Sequence, residues 1–173
     1  MKYLLILTAI LLSSVTYAQN IFEDNVNDIT FQYPAAWKNY ENISGNEYVT
    51  NDTGYFLIQV DSYFKPYDFN AEDIKDSSFR GGLYRQMLVS TGREVKLVDY
   101  GNMNISGLPG YFLIWEVPGK DNTFNNSSKI YSMQTGDKEK LYTFNAGSPS
   151  RYFDEYKETF NSIAASITIK PIK

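Results

Sequence analysis

Four kinds of segment carry residue types that could do chemistry, and the chain has no histidine and no cysteine to help them. That removes Ser-His-Asp and Cys-His nucleophilic catalysis. It removes the usual zinc and copper ligand sets and the side chain most suited to general-base work near neutral pH. Carboxylate, lysine, tyrosine and serine chemistry is what is left.

The first segment type is the paired carboxylates, Glu72-Asp73 and Asp154-Glu155. Two carboxyl groups can cleave a glycosidic bond if a cleft holds them at the right separation. Both pairs fall in the first turns of predicted helices, where the positive end of the helix dipole alone accounts for them. Second, Ser62-Tyr63-Phe64-Lys65 has the Ser-x-x-Lys spacing of penicillin-binding proteins. That chemistry needs the serine at a helix start, whereas Ser62 ends a predicted strand and Pro66 follows, so the match is read as chance. Third, Asp121-Asn122-Thr123-Phe124-Asn125-Asn126 alternates side-chain oxygens as a calcium loop does. An EF-hand needs glycine at the sixth position and glutamate at the twelfth; Asn126 and Ser132 stand there instead, and a polar loop is the better reading. Fourth, Tyr63-Phe64-Lys65-Pro66-Tyr67-Asp68-Phe69 gathers four aromatics around a proline between a strand and a helix. They either plug the edge of the fold or form an exposed binding loop, since aromatics dominate interface hot spots. Tyr63, Phe64, Tyr67 and Phe69 are therefore the candidate partner-binding residues. Tyr111, Trp115 and Tyr131 raise the same question, with Trp115 assigned to the core.

The elements that must position these residues follow an export signal. Lys2 gives a positive start, Leu4 to Leu12 an apolar stretch broken only by Thr8, and Thr16 and Ala18 the small residues before a cut between Ala18 and Gln19. The apolar run is shorter than the ~20 residues a membrane span needs, so residues 1–18 are expected to be removed rather than to anchor the chain. The expected product is one domain, 19–173, periplasmic or secreted, with no membrane span after cleavage. Loss of Lys2 takes the formal charge from −4 to −5. With no basic run, a nucleic-acid partner is not expected. Without cysteine the core must hold the fold unaided, and a bacterial source is inferred.

Aromatics make up 16% of the chain, which favours sheet. Asp28 to Tyr33 alternates Ile29, Phe31 and Tyr33 against polar neighbours and ends at Pro34. Further strands are predicted at Glu47–Thr50, Tyr55–Tyr63, Glu94–Tyr100, Asn104–Val117, Lys129–Gln134 and Lys140–Ala146. The turns are placed at Asn51–Gly54, Gly101-Asn102, Leu108-Pro109-Gly110 and Thr135–Lys138. One helix is predicted from about Ala71 to Ser90, capped by Asn70 and stopped by Gly92. Gly81-Gly82 inside it calls for a kink or a close contact with the sheet. A second helix is predicted after Ser148 as cap and Pro149 in the first turn, with Phe153, Tyr156, Phe160 and Ile163 on one stripe. Ile167 and Ile169 close the fold on a last strand. Gly-Tyr-Phe-Leu-Ile occurs twice, at 54–58 and 110–114, each time starting a long strand; convergence of two central strands explains it.

Phe31-Gln32-Tyr33-Pro34-Ala35-Ala36-Trp37 resembles the opening of PsbP-like domains: a strand, Tyr-Pro, two residues, then Trp. Ile105 to Val117 resembles their central hairpin. Leu141 to Gly147, the helix with Phe153, Phe160 and Ile163, then Ser166-Ile167, resembles their closing strand–helix–strand. The likeness runs from about Asp28 to Ile169. It implies an α+β fold, an α/β/α sandwich with a central antiparallel sheet, in which Tyr33, Pro34, Trp37, Tyr142, Phe160 and Ser166 are core positions. It also implies a binding or accessory protein, shared with photosystem II subunits and bacterial envelope proteins, and no common active site. Metal ligands described in photosynthetic members include histidines, and this chain has none.

The functional expectation is an exported, non-catalytic binding or accessory domain of the cell envelope. It uses no cofactor and recognises a protein in the envelope or extracellular space. A calcium-dependent accessory domain and a carboxylate-based glycan hydrolase are the alternatives.

Overall fold

Alternating apolar and polar residues become ten strands in the structure, a computed structural model that describes residues 19–41, 47–62, 68–120 and 124–170. Three of the strands form a small sheet: β1 (Gln19–Asp24), β2 (Ile29–Pro34) and β10 (Thr168–Ile169), in the order β1-β2-β10. The other seven form the main sheet: β3 (Lys38–Glu41), β4 (Glu47–Thr50), β5 (Tyr55–Ser62), β6 (Lys96–Ile105), β7 (Leu108–Val117), β8 (Ser128–Gly136) and β9 (Lys140–Pro149). Their order is β3-β4-β5-β9-β8-β7-β6, antiparallel throughout. The sandwich is thus richer than a single central sheet. The small sheet and helix α2 (Phe153–Ser166) cover one face of the main sheet, and helix α1 (Ser77–Thr91) lies on the other.

The two faces are covered unequally. On the α2 side, Phe31 of β2, Phe56 of β5, Phe144 of β9 and Phe160 of α2 are all at most 1% exposed. Phe31 packs on Phe56 at 5.3 Å, and Phe160 on Trp37 at 6.4 Å. The predicted stripe on α2 behaves as expected, with Phe153, Phe160 and Ile163 buried. On the α1 side no helix residue is fully buried; Phe79, Leu83 and Met87 are half-buried against Tyr111, Leu113 and Trp115 of β7. Burying Tyr111, Trp115 and Tyr131 to 3%, 3% and 6% exposure places all three in the core and off the surface.

Several local expectations change. The predicted helix 71–90 is two pieces, a 3-10 turn Ala71–Lys75 and α1, because Asp76 adopts an extended backbone and caps α1 through Ser78 N–H and Phe79 N–H. Asn70 caps the first piece and left-handed Gly92 ends the second, as expected. The interruption is at Asp76 and not at Gly81-Gly82, where a Cβ would meet nothing closer than Arg85 at 3.9 Å. Arg80 fastens the start of α1, donating to the Ile74 carbonyl at 2.7 Å and stacking on Tyr100 of β6 at 4.3 Å. Gly101-Asn102 is not a turn: β6 runs straight through it, bulged near Leu97 and Asp99. The hairpin turns instead at Ser106-Gly107, whose φ values of 54° and 82° suit a type I′ turn, and Leu108-Pro109-Gly110 lies within β7. Ser148 does not cap α2. It is buried in β9, a 3-10 turn Ser150–Tyr152 intervenes, and α2 begins without a side-chain cap.

Candidate functional site

Among the described residues, α1 stops short of covering the sheet and leaves part of its floor open. Register sets what that floor displays. Gln59 of β5 lies opposite Thr143 of β9, which lies opposite Gln134 of β8; one step along, Leu57, Asn145 and Ser132 are aligned in the same way and reach Leu113 of β7. These residues alternate with Phe56, Ile58, Phe144 and Met133, which point into the α2-side core. Period two therefore puts amides and hydroxyls on the α1 face. The result is a trough of about 390 Å³, walled on one side by Leu83, Gln86 and Met87 of α1. That is within the ~300–1,000 Å³ typical of small-molecule sites.

The electrostatics are those of a neutral site. Asp61 is the one charged residue among the described lining residues, and Gln59 donates to it at 3.1 Å. Ser132 and Thr143 are only 7% and 8% exposed, yet neither hydroxyl has a hydrogen-bond partner among the described residues. Both residues line the open trough, so the floor holds hydrogen-bonding capacity that no described protein group uses. Gln134 accepts from the Tyr111 hydroxyl, which orients its amide nitrogen for another acceptor. At one end of the trough Tyr55 is half-buried, and desolvation pushes its phenol above the ordinary 10.0.

A second cleft of about 490 Å³ lies beside Trp37, Tyr156 and Thr159. Two of its lining residues are already engaged with each other, Asn51 donating to the Tyr156 hydroxyl at 2.7 Å, and the Gln32 N–H donates to the Ser166 hydroxyl at 2.8 Å. The trough is the better candidate.

Of the segments singled out in the sequence, the described residues lie outside the trough lining. Tyr63, Phe64 and Tyr67 lie outside the described residues, as do Lys65 and Asp121 to Thr123. Phe69 is half-buried, stacked on Tyr111 with ring centres 5.5 Å apart and planes at 11°. It plugs the α1-side core. Glu72 is engaged by Lys75 and Asn102, which hold its carboxyl below the ordinary 4.5. Asp154 and Glu155 lie in the first turn of α2. The loop before β8 joins two strands, unlike the helix–loop–helix of an EF-hand. Among the described residues no group of three or more carboxylates could hold a metal ion. The trough residues were missed because their period-two polarity reads as an ordinary solvent face.

A sheet backed by a helix on one face, and by a helix and a three-stranded sheet on the other, defines a PsbP-type sandwich. The PsbP family profile matches residues 18–169, and the chain belongs to that family. The solution structure of cyanobacterial PsbP (CyanoP) from Synechocystis sp. PCC 6803 is similar, with a TM-score of 0.65 and 16% identity over 91% of this chain and 96% of that one. LpqN, involved in cell envelope biogenesis of Mycobacterium tuberculosis, gives 0.58 and 10% over 92% and 88%. A protein from Bacteroides thetaiotaomicron VPI-5482 gives 0.51 and 17% over 87% of this chain, which spans 48% of that one. At these identities the likeness is one of fold. No curated protein matches the sequence.

Proposed function

We propose that this protein is an exported binding or accessory domain of the cell envelope that works by recognition at the α1-side trough and performs no turnover. The observation that carries the reading is the pair of buried, unpartnered hydroxyls of Ser132 and Thr143 in an open floor. Catalysis has little support there. Among the described residues the trough lining offers a single carboxylate, Asp61, whereas a two-carboxylate hydrolase needs a matched pair. Fold likeness to an envelope-biogenesis protein supports the compartment, as does the expected signal at 1–18. Among the described residues no helix is long and apolar enough to cross a membrane. An envelope or extracellular protein carrying the recognised group is the expected partner.

Methyl-labelled chain from Gln19 to Lys173 is titrated with envelope extract of the source organism and followed by NMR. Shifts at the Leu57, Leu113 and Met87 methyls, without new products, are the expected result. Shifts confined to the Trp37–Tyr156 cleft, or none, overturn the reading. Mass spectrometry of the exported protein should give Gln19 as its first residue, and a retained 1–18 would overturn the export proposal.

A further inference from the structure

The geometry points to a neutral saccharide as the ligand of the trough; this rests on the binding reading above. The floor is a grid. Thr143 sits between Gln59 and Gln134 across three strands, and Asn145 and Ser132 form the next row. Neighbouring strands lie about 4.8 Å apart and alternate residues on one face about 6.7 Å apart, so donors and acceptors recur at sugar-ring dimensions. Hydroxyls and amides both donate and accept, which matches ligand hydroxyls that do the same. Leu57 and Met87, both half-buried, border the grid with apolar surface, suited to the C–H faces of a sugar ring.

Other ligand classes fit less well. With no Lys or Arg among the described lining residues and Asp61 among them, no described side chain there neutralises a phosphate or carboxylate. A lipid chain would bury the Ser132 and Thr143 hydroxyls without partners. An extended peptide gains affinity by adding to a sheet edge through its backbone, whereas this site is a sheet face that presents only side chains.

The test uses maltotriose, cellotriose and chitotriose as probes, trigalacturonate as the anionic control, and the methyl-labelled Gln19–Lys173 chain. A neutral trisaccharide should give saturable shifts at Leu57, Leu113 and Met87, and trigalacturonate none. The double variant Ser132→Ala, Thr143→Val should weaken that binding at least tenfold. Its melting temperature should not fall, because each change removes an unpartnered hydroxyl while keeping the shape. Unchanged affinity in the folded double variant, or no trough shifts with any neutral probe, overturns the saccharide assignment. If extract still shifts the same methyls, the trough binds a different class and the binding reading stands; if extract fails too, both fall.

Discussion

Tyr55 and Gly147 face each other across the β5–β9 pair, and the phenol ring lies so close over the glycine that a Cβ there would stand 2.7 Å from three of its atoms. Gly110 is equally confined, but by backbone: its Cβ would stand 2.6 Å from the Gln134 carbonyl oxygen. A ring can swing aside and a paired strand cannot. Gly110→Ala should therefore lose about 2–3 kcal/mol, within the range of overpacked cores. Gly147→Ala should lose under about 1 kcal/mol and displace the Tyr55 ring from the end of the trough. Urea denaturation ranks the two, and equal losses would contradict the argument.

Phe69 was a candidate contact residue in the sequence and is a packing residue in the fold. Its ring stacks on Tyr111, and a Cβ on Gly136 would come within 3.2 Å of it. Phe69→Ala should lower stability by about 1–3 kcal/mol, less than the 3–5 of a fully buried phenylalanine. Binding loss in that variant would need a stability control. A variant as stable as the parent would return Phe69 to the surface.

The difference between the two faces explains what was legible. On the α2 side, strand alternation and the helix stripe demand the same burial, so Ile29, Phe31, Phe160 and Ile163 were readable from spacing alone. Both Gly-Tyr-Phe-Leu-Ile copies obey the same rule: Phe56 and Phe112 turn toward α2, while Leu57 and Leu113 turn toward α1. The turn at Ser106-Gly107 was hidden because Gly101-Asn102 and Pro109-Gly110 are stronger local signals. Gly101 is small for another reason: a Cβ there would meet the Phe112 ring at 3.0 Å. The trough was beyond local reading because it exists only through the order β5-β9-β8-β7, which brings Gln59, Thr143 and Gln134 together from three separate stretches of chain.

Ser166 joins the end of α2 to β2. Its hydroxyl accepts from the Gln32 N–H at 2.8 Å and donates to the Ile163 carbonyl at 2.7 Å. Ser166→Ala removes both bonds and should lower stability by about 1 kcal/mol. Ser166→Thr retains the hydroxyl and should recover part of the loss. Thermal unfolding of both variants measures the difference, and an unchanged alanine variant would show the bonds to be replaceable by water.

Acid and alkali should unfold the protein through different groups. Asp76 is held below its ordinary 3.8 by the Ser78 hydroxyl, then by the Phe79 and Ser78 N–H groups it caps. A carboxylate lowered on folding stabilises above 3.8 and loses that contribution as pH falls through its folded value. Asp76→Asn should flatten the acid limb of stability against pH. Tyr142 runs the other way: burial, then the Asp137 charge and the bond its hydroxyl donates to Asp137 at 3.1 Å, raise it far above 10.0. A phenol raised on folding stabilises fully below 10.0, and that contribution is lost as pH climbs through the folded value. In an ultraviolet titration, Tyr142 should ionise only as the chain unfolds, and Tyr142→Phe should move alkaline unfolding to higher pH. Ionisation of Tyr142 near 10.0 in the folded protein would refute its burial in the α2-side core.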